Sequence, residues 1–420
     1  MQHTTHTGGR DATTAIVPGS TALSIGKPTL AVPSGFTWTR LSSVARLESG
    51  HTPSRAHKEY WNGPVPWLSI PDAAANHGKT LLDTKQHISQ AGVENSSTRL
   101  LPRNTVCLSR TASVGYVVIM GVPMCTSQDF INWICGPELD PRYLKYVLML
   151  ESETIRDIFA FGSTHRTLYY PDAKALYIAM PPIDEQHAIA DVLGALDDKI
   201  ANNEDLSHSA ESLMVALVSE LPLTARLHQL ASQSTDTVRT DEMKMNWVAH
   251  FSIPAYDADT LPVQEPGSSI KSSKFRVSNP SVLISKLNPR FPRIWNVPNP
   301  EAHSVASTEF IVLEPRSLPT SALWAVLATR GVSDYLAERV SGTSGSHQRV
   351  RPRDLMDTPV PDRTAFGEDL VRSLKYLGRT AAGARRESRT LTELRDTLLP
   401  ALMDGRIRVK DAVRTAEEAL

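Results

Sequence analysis

The chain has 420 residues, with 44 Lys and Arg against 45 Asp and Glu and a formal net charge of -1. At roughly 100–200 residues per domain, that length predicts two to four domains. With 41% hydrophobic and 21% charged residues, the composition excludes a wholly disordered chain. The charge balance excludes a basic coat over the whole surface, so any nucleic-acid-binding surface must be local.

Residues 1–34 are rich in Thr, Gly, Ala and Pro and carry only Arg10, Asp11 and Lys27 as charges. No basic start precedes an apolar run, which argues against a secretory signal. The segment reads as a flexible leader, with folded structure starting near Phe36. Between 36 and 182, short β-branched and aromatic runs at 105–108, 115–119 and 130–134 are separated by Gly, Pro and Asn. They read as strands, and 141–158 reads as helix. The longest apolar run, 116–125, falls far short of the ~20 residues of a membrane helix and reads as a buried strand. Cys107, Cys125 and Cys135 show no CxxC spacing, so neither a disulfide framework nor a zinc ribbon fits, and reduced cytosolic thiols are expected.

A long helix is expected next. Ile189, Leu196, Asn203, Ala210 and Leu217 recur every seven residues, with Leu193, Ile200, Ser207, Met214 and Leu221 as the companion row. Asp184 and Glu185 suit a helix start, and Asp197 and Asp198 suit a solvated face. The mixed pattern returns over 223–361, with strands expected at 282–284 and 310–313 and helix at 320–339. A second heptad pair follows: Leu370, Leu377, Ala384, Leu391 and Leu398, with Leu374, Ala381, Ser388, Arg395 and Leu402. Such seams bury themselves in a partner helix, and their matching phase predicts that the two helices pair. At ~1.5 Å per residue, roughly 36 residues give each about 54 Å.

The halves repeat. Phe36-Thr-Trp-Thr-Arg40-Leu41 matches Leu223-Thr-Ala-Arg226-Leu227, and Thr105-Val-Cys-Leu-Ser-Arg110 matches Ser281-Val-Leu-Ile-Ser-Lys286. Thr126-Ser-Gln-Asp-Phe130 matches Ala306-Ser-Thr-Glu-Phe310, and Gly162-Ser-Thr-His165-Arg166 matches Gly342-Thr-Ser-Gly-Ser-His347-Gln-Arg349. The fold class is therefore α+β and internally duplicated: two similar domains joined by long coiled-coil helices. The expected division is a leader 1–34, a first domain 35–182, a central helix 183–222, a second domain 223–361, a C-terminal helix 362–412 and a tail 413–420.

Catalytic and metal-binding constellations are missing from the sequence. Gly78-Lys79-Thr80 lacks the glycine of a phosphate-binding loop, since position 73 is Ala73. Met180-Pro-Pro-Ile183 lacks the acidic or amide residue of an adenine methyltransferase motif. Gly342-Thr-Ser344-Gly345 is one residue short of a nucleophile elbow, and the histidines show no HExxH spacing. Pro71-Asp72 with Asp83-Thr-Lys85 has the outline of a nuclease metal site, but a Pro-Asp turn followed by a polar strand end is much the better reading.

Nucleic-acid signals are local. Between 267 and 300, Lys271, Lys274, Arg276, Lys286, Arg290 and Arg293 occur without any acidic residue, with Phe275, Phe291 and Trp295 interleaved. Between 95 and 128, Arg99, Arg103 and Arg110 again occur without an acid. Lys and Arg neutralise phosphates, and Arg or Asn can read base edges. The two Gly-hydroxyl-His-Arg segments suit close approach to phosphate oxygens. The candidate DNA-binding residues are Arg110, Thr111, Ser113, Ser163, Thr164, His165 and Arg166 in the first half. In the second they are Lys286, Asn288, Arg290, Arg293, Thr343, Ser344, Ser346, His347 and Arg349.

Three further stretches resemble the specificity subunits of type I restriction–modification systems. They are Leu47-Glu-Ser-Gly50-His-Thr52-Pro53-Ser54 with Glu59-Tyr60-Trp61-Asn62-Gly63, then Pro181-Pro182-Ile-Asp-Glu185-Gln186-His-Ala-Ile189-Ala190, then Leu394-Arg395-Asp-Thr-Leu398-Leu399-Pro400-Ala-Leu402-Met-Asp-Gly405. The resemblance covers roughly 36–412. It departs where the second helix opens Pro361-Asp-Arg-Thr-Ala-Phe-Gly and where the second half lacks a Tyr-Trp-Asn-Gly block. The resemblance implies a non-catalytic, cytoplasmic, DNA-binding protein of phage defence that recognises a bipartite asymmetric site, one target-recognition domain per half. The spacer helices, through Ile189, Leu193, Leu196, Ile200, Leu217, Leu370, Leu374, Leu377, Leu391 and Leu398, would fix the gap. They would also dock two adenine-N6 methyltransferase subunits. Motor–nuclease subunits would join, with S-adenosylmethionine, ATP and Mg on those partners and no cofactor on this chain. Two rivals remain: a stand-alone metal-dependent nuclease using Asp72, Asp83 and Lys85, and a coiled-coil protein-interaction adaptor.

Overall fold

The computed structural model describes residues 15–162, 166–339 and 348–419. The fold is mixed α/β, and the chain divides into two compact units: Met1–Asp197 with Glu393–Leu420, and Asp198–Thr392.

The first unit is built around a five-stranded sheet in the order Ala45–Ser49, Phe130–Cys135, Val106–Ser109, Val117–Met120, Thr80–Leu81. The central strands are buried on every residue from Val106 to Ser109 and from Val117 to Met120. That is why they read as unbroken apolar runs rather than alternating ones. The helix Pro141–Leu150 packs on them and starts at Asp140, whose carboxylate accepts the Arg142 N–H at 2.7 Å. A smaller sheet places Trp61–Leu68 between Cys125–Thr126, which runs parallel to it, and His87–Ile88.

The leader expectation fails from residue 15 onward. Leu23–Ile25 is a strand with three buried residues, paired to Leu176–Met180, and Val17–Pro18 pairs with it in turn. What fixes it is distant in sequence. The fully buried Glu151 carboxylate accepts the N–H groups of Ser20, Thr21 and Ala22 at 2.8, 2.7 and 2.7 Å, and the Ser20 hydroxyl at 2.9 Å.

The second unit has a four-stranded sheet, Ala231–Ser234, Phe310–Pro315, Ser281–Ser285, Ile294–Val297. Its neighbour is a five-stranded sheet in which Trp247–Phe251 runs parallel to Ser304–Ala306. Helices Thr320–Leu327 and Arg330–Ala337 cover the first sheet around Leu323, Leu327 and Leu336. Several pairings repeat those of the first unit. Leu68 lies opposite Thr126 there, and Phe251 lies opposite Ala306 here. Ser127 N–H donates to Leu68 O at 3.1 Å, as Ser307 N–H does to Phe251 O at 2.9 Å.

Two long helices, Ile183–Ser219 and Glu368–Met403, contribute to both units. In the first unit Arg395 pairs with Asp197 at 3.0 Å. In the second, Asn203 donates to Glu387 at 2.9 Å and Arg385 pairs with Glu211 at 2.6 Å, so the strands of contact run antiparallel. Ile189, Leu193, Leu196, Ile200, Leu374, Leu391 and Leu398 are buried, while Leu370 and Leu377 are half-buried. Leu217 is 39% exposed and Val218 takes its place at 2%. A straight helix drifts ~20° per heptad against a strict 3.5-residue repeat, and four heptads carry the seam one residue along. Asp197 is not on a solvated face either: it meets Lys145, Tyr146 and Arg395. The second long helix begins at Glu368, after a turn at Arg363–Ala365 capped by Asp362, and ends at Met403 before Gly405 at φ +70°. The expected tail is part of another helix, Val409–Glu417.

Candidate nucleic-acid interface

Each unit turns its chain at the end of a buried central strand, and each presents a cation there. In the first, Arg110 follows Val106–Ser109. Arg110 N–H donates to Asp129 O at 2.8 Å, Leu168 N–H to Arg110 O at 2.9 Å, and Ala112 N–H to Arg166 O at 3.1 Å. In the second, Lys286 follows Ser281–Ser285. Lys286 N–H donates to Glu309 O at 2.8 Å, Val350 N–H to Lys286 O at 2.8 Å, and Asn288 N–H to Gln348 O at 3.2 Å. Bridges between Thr111 and Thr167, and between Leu287 and Arg349, occupy corresponding places. Ala112 and Asn288 both adopt positive φ, +62° and +49°, a conformation Asn tolerates and Ala resists. The turns are thus held by their hydrogen bonds rather than by local preference.

The cations are oriented by backbone carbonyls. Arg110 Nε donates to Gln128 O at 3.1 Å, and Lys286 Nζ to Thr308 O at 2.6 Å. Burial pushes the Lys286 ammonium below its ordinary value, with Arg349 adding to that and Glu309 opposing it. Ser109 and Ser285 close the turns, accepting the N–H of Tyr116 at 2.8 Å and of Leu287 at 3.0 Å. Thr111 and Ser113 lie on the first turn, with Ser113 exposed.

The remaining candidates divide. Arg290 is exposed beside Phe291, itself 71% exposed, on a turn in which Phe291 N–H donates to Asn288 O at 3.0 Å. Among the described residues this guanidinium has no ion-pair partner, and a cation beside an exposed ring suits phosphate contact and stacking. Arg293 is engaged elsewhere: its fork closes on Asp257 at 2.6 and 2.9 Å. Arg166 pairs with Asp157, and Arg349 with Glu309 at 2.9 Å. Ser163, Thr164, His165, Thr343, Ser344, Ser346 and His347 lie outside the described residues.

Sequence reasoning missed a neighbouring cluster. Thr52 donates to the Gln128 side-chain oxygen at 2.5 Å, which leaves the exposed Gln128 amide nitrogen as a donor beside Arg110. Arg55 lies over the Trp61 ring at 4.1 Å and donates to Gln86 at 2.9 Å. The signal was available: Leu68-Ser69-Ile70-Pro71 and Phe251-Ser252-Ile253-Pro254 are the same helix-opening motif, with each serine at an N-cap. Gly50 belongs to this cluster, since a Cβ there would lie 2.1 Å from Ser127 O and from Thr126 Oγ1. Gly50→Ala should lower stability by about 1–3 kcal/mol by forcing the loop off the strand end, read as an earlier thermal unfolding transition.

The nuclease residues have other duties. Asp72 is 2% exposed, and its carboxylate accepts Ser69 N–H at 3.1 Å and Lys85 N–H at 3.0 Å. Asp83 bonds His87 at 2.7 Å. Among the described residues, no group of three or more His, Cys, Asp or Glu is placed to hold a metal. No helix among them is long and apolar enough to cross a membrane.

Residues 33–212 match the family model described as "Type I restriction modification DNA specificity domain". The matched stretch is less than half of the chain. It includes Arg110 and the Thr52–Gln128 cluster and ends within the first long helix. The chain is similar to specificity subunits of type I restriction–modification systems. It is 31% identical over 188 residues, 44% of this chain and 43% of the relative, to the type I restriction enzyme MjaIX specificity subunit of Methanocaldococcus jannaschii. It is 28% identical over 169 residues, 38% of this chain and 40% of the relative, to the EcoR124I/EcoR124II specificity subunit of Escherichia coli. The matched stretch thus spans less than half the length of these curated relatives. In fold, the chain resembles a type I restriction–modification S subunit from M. genitalium, with a TM-score of 0.57 at 17% identity over 90% of this chain and 98% of that one.

Proposed function

We propose that this chain is the DNA-binding specificity subunit of a type I restriction–modification complex, with two duplicated target-recognition domains on antiparallel coiled-coil spacers. The observation that carries this reading is the recurrence of one cation-bearing turn. Arg110 and Lys286 sit at equivalent strand ends, held by the same three backbone bonds, in turns that Arg166 and Gln348 join through backbone hydrogen bonds. One such turn would be an ordinary surface feature; two suit a bipartite asymmetric site read one half per domain. The chain itself does no chemistry on this reading. It acts in the cytoplasm and docks two adenine-N6 methyltransferase subunits and motor–nuclease subunits. S-adenosylmethionine, ATP and Mg belong to those partners.

The test is a binding panel on a mapped site. Losing a base contact costs ~1–3 kcal/mol, and losing a phosphate contact weakens all sequences alike. Arg110→Ala should therefore weaken cognate binding about 5–150-fold and Lys286→Ala comparably, with relaxed preference confined to opposite halves of the site. Unchanged affinity in both variants would refute the assignment.

Partner docking has its own prediction. Leu206, Leu213 and Leu217 are 48%, 49% and 39% exposed and fall on one helical face by their spacing. Leu206→Glu with Leu213→Glu should abolish co-purification of the methyltransferase while leaving the circular dichroism spectrum unchanged.

A further inference from the structure

A second cationic surface lies in the first unit, apart from the turn at Arg110. Arg40, Arg46 and Lys174 line a cleft of about 580 Å³ together with Ser42, Ser43 and Gly136, and no carboxylate lines it. The cleft is built by backbone. Arg40 Nε and the Ser42 hydroxyl both donate to Lys174 O at 3.2 Å, and Gly136 N–H donates to Val44 O at 2.8 Å. Among the described residues, neither Arg40 nor Lys174 has an ion-pair partner. Arg46 shares Glu48 with Arg99, so one carboxylate faces two guanidinium groups.

The cleft is continuous with the proposed reading site. Lys174 Nζ lies 5.5 Å from the centre of the Tyr170 ring. Tyr170 lies two residues after Leu168, whose N–H donates to Arg110 O at 2.9 Å and whose carbonyl accepts Arg110 Nη1 at 3.5 Å. Arg40, Lys174 and Arg110 thus lie along the segment 168–174, and Arg46 and Arg99 meet at Glu48 in the same unit.

The fold does not demand these charges, and the second unit is the control. There, Arg226 donates to Asp357 O at 2.9 Å and His228 bonds Met356 O at 3.3 Å, in the places of Arg40 and Ser42. The strand pairing sets Arg40 opposite Tyr177 and Arg226 opposite Pro359. By that register Lys174 corresponds to Met356, and Arg46 corresponds to Ser232. Arg316 takes the place of Gly136, its N–H donating to Leu230 O as that of Gly136 does to Val44 O, so the same architecture stands with two cations, Arg226 and Arg316, differently placed.

We propose that this cleft binds the phosphodiester backbone of duplex DNA flanking the half-site read at Arg110. The proposal rests on the DNA-reading function above and adds to it a contact that is blind to sequence. Its charge is concentrated, its Ser42 and Ser43 hydroxyls and Gly136 N–H are taken up by backbone carbonyls so that the cations are what face a ligand, and no aromatic or amide side chain lines it for base edges. Phosphate contacts position a duplex, and base contacts specify it.

The experiment is a salt titration of the full chain on a cognate duplex and on a random-sequence duplex. Each neutralised phosphate contributes about 0.9 to the slope of log K against log salt. The triple variant Arg40→Gln, Arg46→Gln, Lys174→Gln should flatten that slope by roughly 2–3 on both duplexes, with the preference for the cognate duplex unchanged. Arg40→Lys with Arg46→Lys should keep the slope, which separates lost charge from lost folding. A triple variant with the wild-type slope would overturn the proposal, while Arg110→Ala that relaxes preference in its own half of the site would leave the reading function standing. A triple variant that alters half-site preference would also overturn it. Wild-type binding that ignores salt on both duplexes would defeat both readings.

Discussion

Replacing Asp197 by alanine should destabilise the first unit by about 3–5 kcal/mol, the usual cost of stripping one partner from a buried charge network. Asp197 Oδ2 accepts Lys145 Nζ at 3.0 Å and the Tyr146 hydroxyl at 2.7 Å, while Oδ1 accepts Arg395 Nη1 at 3.0 Å. The side chains of Lys145, Asp197 and Arg395 are 9%, 21% and 19% exposed, so water does little to screen what would be left behind. Lys145, which also donates to Gly78 O at 3.0 Å, and Arg395, which also pairs with Asp396 at 2.8 Å, would then face each other across the space the carboxylate vacated. Denaturant unfolding of Asp197→Ala checks the magnitude. Asp197→Leu with Lys145→Met and Arg395→Met should recover much of the loss, because an apolar replacement of a whole buried network is close to neutral.

The same residue sets an acid limit. Burial alone pushes the Asp197 carboxyl up, but Lys145, Tyr146 and Arg395 pull it down further, and the net direction is below its ordinary value. A carboxylate with a lowered folded pKa stabilises fully above its unfolded value of ~3.9 and loses that contribution as pH falls through the folded value. The wild-type chain should therefore lose stability steeply below about pH 4, and Asp197→Asn should show a shallower decline over the same range.

Glu151→Ala should release the N-terminal strap. The carboxylate is fully buried and is the acceptor for three consecutive backbone N–H groups. Its removal strands those donors at roughly 1–3 kcal/mol for each one that stays buried. Detachment of Val17–Pro18 and Leu23–Ile25 limits the loss, so the expected signature is local. Amides of 17–25 should exchange with solvent far faster, while those of Val106–Ser109 keep their protection. Glu151→Gln retains one acceptor and should fall between. Uniform exchange in Glu151→Ala and wild type would show that the strap is held by packing alone.

That strap marks where sequence reading stops. Strands of two and three residues are too short to display a period, and Thr-, Pro- and Gly-rich composition reads as loop. The decisive carboxylate lies about 130 residues away along the chain. By contrast, the central strands were legible because burial on both faces demands unbroken apolar runs, and 130–134 and 310–313 fall inside observed strands. The long helices were legible from their heptads, but the end of the seam was not, since Val218 rather than Leu217 is buried. At the candidate site, Arg110 and Lys286 stood out through repetition. The engagement of Arg293 with Asp257 did not, because their 36-residue separation has no local pattern. Gln128 lay within a recognised repeat, but nothing in that repeat singled it out from its neighbours.

The central claim is that each domain reads one half of a bipartite DNA site. It is tested most directly by co-expressing the chain with a methyltransferase that co-purifies with it and mapping methylated adenines by single-molecule sequencing. The account predicts a two-part motif that appears only when the chain is present. Replacing residues 35–182 with the corresponding segment of another specificity subunit should change one half of that motif and leave the other intact. A complex that forms yet methylates no bipartite motif, or a motif that survives the replacement unchanged, would contradict it.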